Sequence, residues 1–232
     1  MKEHNDENLV EEVENEDYRL EEDPMQGFWK RQTQIFLSSY INIAIIACNV
    51  IIFVYGFFAG YDFQDRFDFD PVRFFQNQEY YRLFTSMFLH ASLEHIGSNM
   101  LILFFIGANA EHDLGHISYL FVYLISGLAG DMVSLMDAVI RNDLTPSLGA
   151  SGAIFGVIGA VLIIVIYGRK NLRPGSNLLG RLIAIICLSV YSGFREENID
   201  NAAHIGGLIG GIIITFLITK IFKKEYTMEE WL

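Results

Sequence analysis

Two histidines, an asparagine and a serine stand out because they lie at the ends of strongly apolar segments. His95 and Asn99 are four residues apart at the start of the segment "LEHIGSNMLILFF". Ser151 opens "SGAIFGVIGA", and His204 lies near the start of "NAAHIGGLIGG". Polar side chains at membrane depth are costly and usually functional. These four residues are therefore the first candidates for a site.

The serine and one histidine have the chemistry of a nucleophile and its base. A serine hydroxyl becomes reactive when an adjacent base takes its proton, and histidine titrates in the range that this role requires. His204 shares a helix face with Gly207 and Gly211, and Ser151 is followed by Gly152. Small residues spaced along a membrane helix let a second helix approach closely. The pattern predicts that the Ser151 hydroxyl and the His204 imidazole come within hydrogen-bond reach.

The remaining polar residues are suited to binding a negative charge. His95 and Asn99 lie one helical turn apart and can each donate a side-chain N–H toward one point. The backbone N–H of Ser151, near the start of a predicted helix, is a third donor. Preorganised donors of this kind stabilise a tetrahedral oxyanion. His90 lies outside the His95–Asn99 stripe, and the sequence leaves open whether it supports the site or lies at the membrane interface.

Composition indicates a membrane protein with an acidic tail. The chain of 232 residues is 52% hydrophobic, with a mean hydropathy of +0.31, which is unusual for a soluble domain. Residues 1–23 hold eleven of the 28 acidic residues and only two of the 16 basic ones. This segment has few aromatic residues, no apolar periodicity and no secretory-signal pattern. We expect residues 1–30 to form a disordered cytoplasmic tail.

The two cysteines do not form a disulfide or zinc pattern. Cys48 and Cys187 lie in separate apolar segments. They are expected to be small buried hydrophobic residues.

Six apolar segments are candidates for spanning helices, since a helix needs about 20 apolar residues to cross a bilayer. They are residues 35–58, 94–110, 117–136, 150–167, 178–194 and 202–222. The loop between the first two is rich in Phe and Tyr but broken by charges, which suits the outer bilayer interface. With six spans, the second, fourth and sixth all begin on the same side. The candidate site residues would then lie at one depth.

The basic residues predict the orientation of these spans. Lys and Arg cluster before the first span, after the fourth and at the end of the sixth: Lys30, Arg31, Arg169, Lys170, Arg173, Lys220, Lys223 and Lys224. Cytoplasmic loops carry an excess of such residues. Both termini are therefore predicted to be cytoplasmic, with the candidate site near the outer surface.

The motifs together resemble the rhomboid family of intramembrane serine proteases over residues 35–222. "HASLEHIGSN" is similar to the family's His-x4-His-x3-Asn pattern, "GASG" to its nucleophile motif, and "AHIGGLIGG" to its Ala-His-x-Gly-Gly-x3-Gly motif. "GANAEHDLG" resembles its Gly-x3-Glu-x3-Gly turn. Each motif is weak alone, but their order on successive spans is specific.

The resemblance implies an all-α membrane protein with a six-transmembrane-helix rhomboid bundle. The protease domain would cover residues 31–225, followed by a short cytoplasmic tail at 226–232. The implied site residues are Ser151 and His204 as a catalytic dyad, His95, Asn99 and Ser151 as the oxyanion hole, and His90, Gly149, Phe155 and Gly207 in support. Substrates would be transmembrane proteins in the lipid bilayer, and no cofactor, metal or nucleic acid is expected.

The sequence departs from the family pattern at two positions. Tyr81 precedes Arg82 where the family often has Trp, and Phe155 stands where it often has Tyr stacked on the histidine. Phe keeps the aromatic ring, so we expect a modest effect on rate. Asp200 is expected to cap a helix rather than to relay charge, and Glu111 to tie helix ends together.

Other classes fit the residues less well. The His-Glu-x-x-His pattern of metalloproteases is absent, and "EHDLGH" offers only His112 and His116 for a minor metal site. "GLAGD" misses the aspartyl-protease motif because Leu128 replaces a glycine, which leaves Asp131 as a residue near the outer end of the third span. An inactive rhomboid-like adaptor usually lacks the serine or the histidine. A transporter would not explain why the polar groups lie at one depth.

Overall fold

The computed structural model describes residues 24–172, 174–193 and 199–228. All secondary-structure elements in this part of the chain are helices. Within this part, β pairing is limited to one isolated bridge between Phe69 and Ser147. The all-helical fold predicted from the sequence is confirmed. Residues 1–23, with most of the predicted acidic tail, Arg173, residues 194–198 and residues 229–232 lie outside the described residues.

The chain divides into two compact units, Met1–Gln34 and Ile35–Leu232. In the first unit the structure describes residues 24–34, which belong to helix α1. The second unit contains the candidate site.

Eleven α-helices follow one another along the described chain. They are α1 (Pro24–Ser38), α2 (Tyr40–Ala59), α3 (Tyr61–Phe67), α4 (Pro71–Gln76), α5 (Arg82–Thr85), α6 (Leu93–Ile102), α7 (Ala108–Leu114), α8 (His116–Arg141), α9 (Ser151–Gly168), α10 (Leu178–Gly193) and α11 (Asn201–Phe222). Short 3-10 turns cover Ser86–Phe88 and Arg169–Asn171, and a π-helical segment, Leu103–Gly107, joins α6 to α7.

Four helices are long and apolar enough to cross a membrane: Tyr40–Ala59, His116–Arg141, Ser151–Asn171 and Asn201–Ile221. A fifth span is formed if the pair Arg82–Phe88 and Leu93–Leu114, bent by 90°, counts as one. Helix α10 is apolar but has only 16 residues. The chain is therefore a multi-pass membrane protein.

The first predicted span, 35–58, begins too early. Helix α1 ends at Ser38 and α2 starts at Tyr40, because the backbone is interrupted at Ser39. The Ser39 hydroxyl is 2.7 Å from the carbonyl of Ile35 and 3.1 Å from that of Ala108, and Glu111 accepts the N–H groups of Ile41 and Asn42. Ala108 and Glu111 lie about 70 residues further along, so their part in the break is not visible in the local sequence. Glu111 also bonds His116 and thus joins three helices, as expected.

The π-helical segment adds one residue to a turn of the second span. The N–H of Ala108 bonds the carbonyl of Leu103, five residues earlier, instead of the usual four. The same carbonyl accepts the side-chain N–H of Asn42 at 2.8 Å, and Asn42 accepts the hydroxyl of Tyr119 at 2.7 Å. The irregular turn is therefore held by two other spans.

Backbone-to-backbone contact joins α8, α9 and α11. A Cβ on Gly207 would overlap the carbonyl of Gly152, and a Cβ on Gly211 would overlap that of Gly156. On the third side, a Cβ on Gly130 would lie 2.8 Å from the carbonyl oxygen of Ala203. These glycines let the three helices approach more closely than any side chain would permit. The predicted small-residue faces do meet.

The last described residues fold back onto the end of α9. Tyr226 and Met228 are buried, and both contact the face of Gly168. The Tyr226 hydroxyl bonds Thr219 at 2.7 Å, and Asn171 donates to the Tyr226 carbonyl at 2.6 Å. Lys224 donates to the carbonyl of Leu114. The ends of α7, α9 and α11 are thus tied together.

The prediction that the cysteines are buried is wrong. Cys48 and Cys187 are both exposed on their helices. An apolar segment in a membrane protein has a side that faces lipid, so apolar surroundings in sequence do not imply burial.

Replacing Gly211 by Ala should destabilise the protein, because the new methyl group forces α9 and α11 apart. We expect a loss of about 3 kcal/mol, at the upper end for overpacking, since the obstacle is backbone. Thermal unfolding in detergent measures it. Gly97→Ala is the matched control, because a Cβ there has no neighbour within 4 Å. Equal stability of the two variants would contradict the packing described above.

Candidate active site

Ser151 and His204 are in direct contact although 53 residues separate them. Ser151 is the first residue of α9, and His204 lies in the first turn of α11. The Oγ of Ser151 is 2.9 Å from the Nε2 of His204. The glycine contacts between α9 and α11 hold the two helix ends at this distance. The arrangement allows Nε2 to accept the hydroxyl proton.

Phe155 fixes the plane of the His204 ring. The two rings are stacked, with centroids 4.2 Å apart and an interplanar angle of 11°. Phe155 lies one turn after Ser151 on α9, so the helix that carries the hydroxyl also orients the imidazole. The aromatic contact expected at this position is present without a phenolic hydroxyl.

Asp200 bonds His204 only through the backbone, where its carbonyl accepts the His204 N–H at 3.2 Å, and its carboxylate does not reach the imidazole. Its carboxylate accepts the N–H of Ala203 at 2.9 Å, which caps α11, and the hydroxyl of Ser134. Within the described residues the Nδ1 of His204 is buried without a hydrogen-bond partner. Stacking on Phe155, rather than an acidic side chain, therefore orients this imidazole.

His95 and Gly149 border the space beside the Ser151 hydroxyl. A Cβ on Gly149 would lie 3.0 Å from the Nε2 of His95 and 3.6 Å from the Oγ of Ser151. Gly149 has φ = +142°, a conformation that L side chains rarely adopt. The absence of a side chain at this position leaves room between an imidazole and a hydroxyl.

Asn99 lies next to His90, for which the sequence left two roles open. The Nδ2 of Asn99 is 3.0 Å from the Nε2 of His90, and both residues are buried. The His90 ring also meets that of His95, with centroids 5.0 Å apart. His90 thus contacts the two side chains, of His95 and Asn99, that are predicted to line the oxyanion hole. A side-chain amide has two N–H groups, so Asn99 keeps one for another acceptor.

Two backbone contacts attach the segment before Ser151 to the loop between α2 and α6. Ser147 and Phe69 exchange backbone hydrogen bonds of 2.8 and 2.9 Å. The N–H of Gly149 donates to the carbonyl of Ser86 at 3.0 Å. The loop thereby supports the residues that lead into α9.

Arg82 organises that loop, a role that the sequence did not reveal. Its side chain is 1% exposed and donates to the carboxylates of Glu79 and Asp68 at 2.6 and 2.9 Å. It also donates to the backbone carbonyls of Asp65 and Asp68. A buried arginine that bonds two carboxylates and two carbonyls fixes the loop backbone. The only available signal was its place in the Tyr81–Arg82 pair.

No group of three His, Cys, Asp or Glu side chains comes together as metal ligands in the described part of the chain. His116, one of the two residues considered for a minor metal site, bonds Glu111 instead.

Comparison with known proteins gives one family. Residues 77–221 match the Rhomboid domain. "Rhomboid protease GluP" of Bacillus subtilis (strain 168) is 41% identical over 135 residues, which are 57% of this chain and 25% of that protein. "RHOMBOID-like protein 1" of Arabidopsis thaliana is 36% identical over 64% of this chain and 36% of its own length. "Putative rhomboid protease YdcA" of Bacillus subtilis (strain 168) is 32% identical over 65% of this chain and 73% of its own length. The chain thus spans a quarter to about half of the first three relatives, and most of YdcA.

Replacing Phe155 by Leu should slow the reaction of Ser151 with a fluorophosphonate about fivefold. The reason is that the stacked ring contributes about 1 kcal/mol to holding His204 in place. Phe155→Tyr keeps the ring and should react within about twofold of the wild type. The labelling rate per folded molecule is the measurement. If Phe155→Leu reacts as fast as Phe155→Tyr, the stacked ring does not contribute to the reactivity of Ser151, and the prediction is wrong.

The stability contributed by Asp68 should depend on pH. Burial raises the pKa of Asp68 to about 6, although nearby Arg82 lowers it. The folded state therefore holds this proton more tightly than the unfolded state, where the pKa is about 3.9. Relative to Asp68→Asn, the wild type should gain stability as pH falls from 7 to 4.5 and lose it as pH rises through 6. The melting temperatures of both proteins across this range test the sign.

Asp143 provides the control of opposite sign. Hydrogen bonds from Thr145 lower the pKa of Asp143. Its stabilising effect is present above the unfolded pKa of about 3.9 and is lost below it, so the wild type should lose stability relative to Asp143→Asn only as pH falls below about 4. Between pH 7 and 4.5 the Asp143 comparison should stay flat, and a flat Asp68 comparison over the same range would show that the assignment for Asp68 is wrong.

Proposed function

The chain belongs to the rhomboid family, and from this membership and the site geometry we propose that it is an intramembrane serine endopeptidase. It hydrolyses peptide bonds in or near the transmembrane segments of membrane proteins. The single observation that carries the proposal is the 2.9 Å contact between the Ser151 hydroxyl and the His204 imidazole at the ends of two apolar helices. A serine and a histidine have little reason to meet there unless one activates the other.

The reaction proceeds through an acyl-enzyme. The Nε2 of His204 takes the proton of the Ser151 hydroxyl while Oγ attacks the carbonyl carbon of the peptide. The tetrahedral intermediate collapses, the C–N bond breaks, and His204 passes its proton to the leaving amine. A water molecule then gives a proton to His204 and attacks the acyl carbon. The second tetrahedral intermediate collapses as His204 returns this proton to Oγ, which breaks the C–Oγ bond and releases the carboxylic acid product and Ser151. No cofactor enters these steps.

The oxyanion of each tetrahedral intermediate is bound beside Gly149. The donors are the backbone N–H of Ser151, His95 and the second N–H of Asn99. His90 positions the last two through its hydrogen bond to Asn99 and its ring contact with His95. Each donor of this kind is worth about 3–4 kcal/mol in the transition state.

The chain crosses the membrane six times in this proposal, with α10 as the short fifth span and both termini in the cytoplasm. Support comes from the two helices of the dyad. Helix α9 begins at Ser151 and is followed by Arg169 and Lys170, while α11 carries His204 in its first turn and Lys220 in its last. The positive-inside rule assigns the basic ends to the cytoplasm, which leaves the dyad near the outer surface of the cell membrane.

The proposed division of the chain is a protease domain at residues 31–225 between cytoplasmic tails at 1–30 and 226–232. The partners are transmembrane substrates and the surrounding lipid.

A fluorophosphonate in mild detergent tests the dyad. The wild type should be labelled, and Ser151→Ala and His204→Ala should lose labelling while keeping their melting temperatures within a few degrees. Ser126→Ala is the matched control: within the described residues this buried hydroxyl has no hydrogen-bond partner, so labelling should persist.

A folded wild type that does not react would overturn the proposal. Binding of membrane clients without cleavage would then be the next function to measure.

A further inference from the structure

Asp131 is a buried carboxyl group that takes no part in the proposed reaction steps. It lies on α8, near the end that carries the dyad, and is 8% exposed. Its Oδ2 accepts the hydroxyl of Ser86 at a distance of 2.8 Å. Burying a carboxyl group among apolar helices is costly unless it is paired or hydrogen-bonded, and the hydrogen bond found for this carboxylate within the described residues is the one from Ser86. The Ser86 hydroxyl is therefore the partner that satisfies this buried carboxylate.

Ser86 connects this carboxyl group to the residues next to the nucleophile. Its side chain donates to Asp131, while its backbone carbonyl accepts the N–H of Gly149 at 3.0 Å. Gly149 borders the space between His95 and Ser151, where the oxyanion is proposed to bind. Ser86 also begins the 3-10 turn that leads to His90. The side chain of Ser86 is therefore held by Asp131, and its carbonyl holds Gly149 at the edge of the site.

We propose that Asp131 is a positioning residue, which acts through Ser86 to hold the Gly149 peptide in place beside Ser151. The inference rests on the proposed function, because it assigns a role in the same reaction. Glycine has the widest backbone freedom of any residue type, so the contacts of Gly149 must impose its conformation. The hydrogen bond to the Ser86 carbonyl is such a contact, and any movement of Ser86 moves this carbonyl with it. Misplacing a catalytic group by about 1 Å can cost about 100-fold in rate.

The experiment compares variants on both sides of the Asp131–Ser86 hydrogen bond. Asp131→Leu removes the acceptor at similar volume, Ser86→Ala removes the donor, and the double variant removes both. Asp131→Asn keeps an acceptor oxygen without the charge. Ser126→Ala is the control on the same helix. It removes a buried hydroxyl group that has no hydrogen-bond partner within the described residues. Two quantities are measured in detergent: the fluorophosphonate labelling rate per folded molecule, and hydrogen exchange of the peptide covering residues 142–150.

We expect Asp131→Leu and Ser86→Ala each to slow labelling about 10- to 100-fold and to speed exchange in residues 142–150. The double variant should be no slower than the slower single variant, since both remove one interaction. Asp131→Asn should recover most of the labelling rate, and Ser126→Ala should behave as the wild type. Should Asp131→Leu fail to fold, Ser86→Ala tests the same bond from the loop side.

The outcomes separate this inference from the proposed function. Variants that label at the wild-type rate, or that lower only the melting temperature, would overturn the positioning role while the dyad stands. Exchange in residues 142–150 that does not change in Ser86→Ala would overturn it as well. If the wild type itself does not label, the proposed function falls. Faster exchange in the variants would then show that Asp131 anchors this segment without serving catalysis.

Discussion

The contact between the backbones of α9 and α11 is the constraint on which the site depends. Where the carbonyls of Gly152 and Gly156 meet Gly207 and Gly211, no side chain separates the helices. Lipid is as apolar as the helix surfaces, so association must come from close packing and hydrogen bonds rather than from exclusion of water. The same closeness sets the distance between Ser151 and His204. Stability and the proposed reactivity of Ser151 thus depend on one interface.

Around this interface, polar groups hold the chain at both ends of the bundle. At the end that carries Ser151, the loop organised by Arg82 attaches to the segment before Ser151 through Phe69 and Ser86. At the other end, Glu111 caps α2, and Tyr226 lies against α9. Each of these groups is satisfied by backbone as well as by side chains, which is how polar residues are accommodated where water is scarce. The spans between the two ends need only pack.

Sequence reasoning went furthest where the signal is local. The apolar segments, the small-residue faces with Gly207 and the pairing of Ser151 with His204 follow from helix periodicity and from the chemistry of the residue types. The stacking of Phe155 was expected from the family resemblance, because a residue one turn after the nucleophile lies beside it. These features need no knowledge of distant contacts.

What the sequence could not supply depends on partners far along the chain. The interruption at Ser39 is fixed by residues about 70 positions later, and the place of His90 depends on the bend that brings it to Asn99. Asp131 served in the sequence only to exclude another protease class, because its partner Ser86 lies 45 residues away. Cys48 was misjudged because the lipid-facing side of a span and its packed side have the same apolar composition.

The π-helical turn at Leu103–Gly107 has a consequence for how this protein can change over time. Each residue of an α-helix advances the chain by about 100° around the axis, so one extra residue in a turn offsets everything beyond it. His95 and Asn99 lie before the turn, and Glu111 lies after it. A substitution on either face keeps the number of residues between the two faces, whereas an insertion or deletion rotates one face against the other by about 100° per residue. The alignment of the site with its anchor at the opposite end is thus encoded in the length of the chain between them, together with the contacts that hold the π-helical turn.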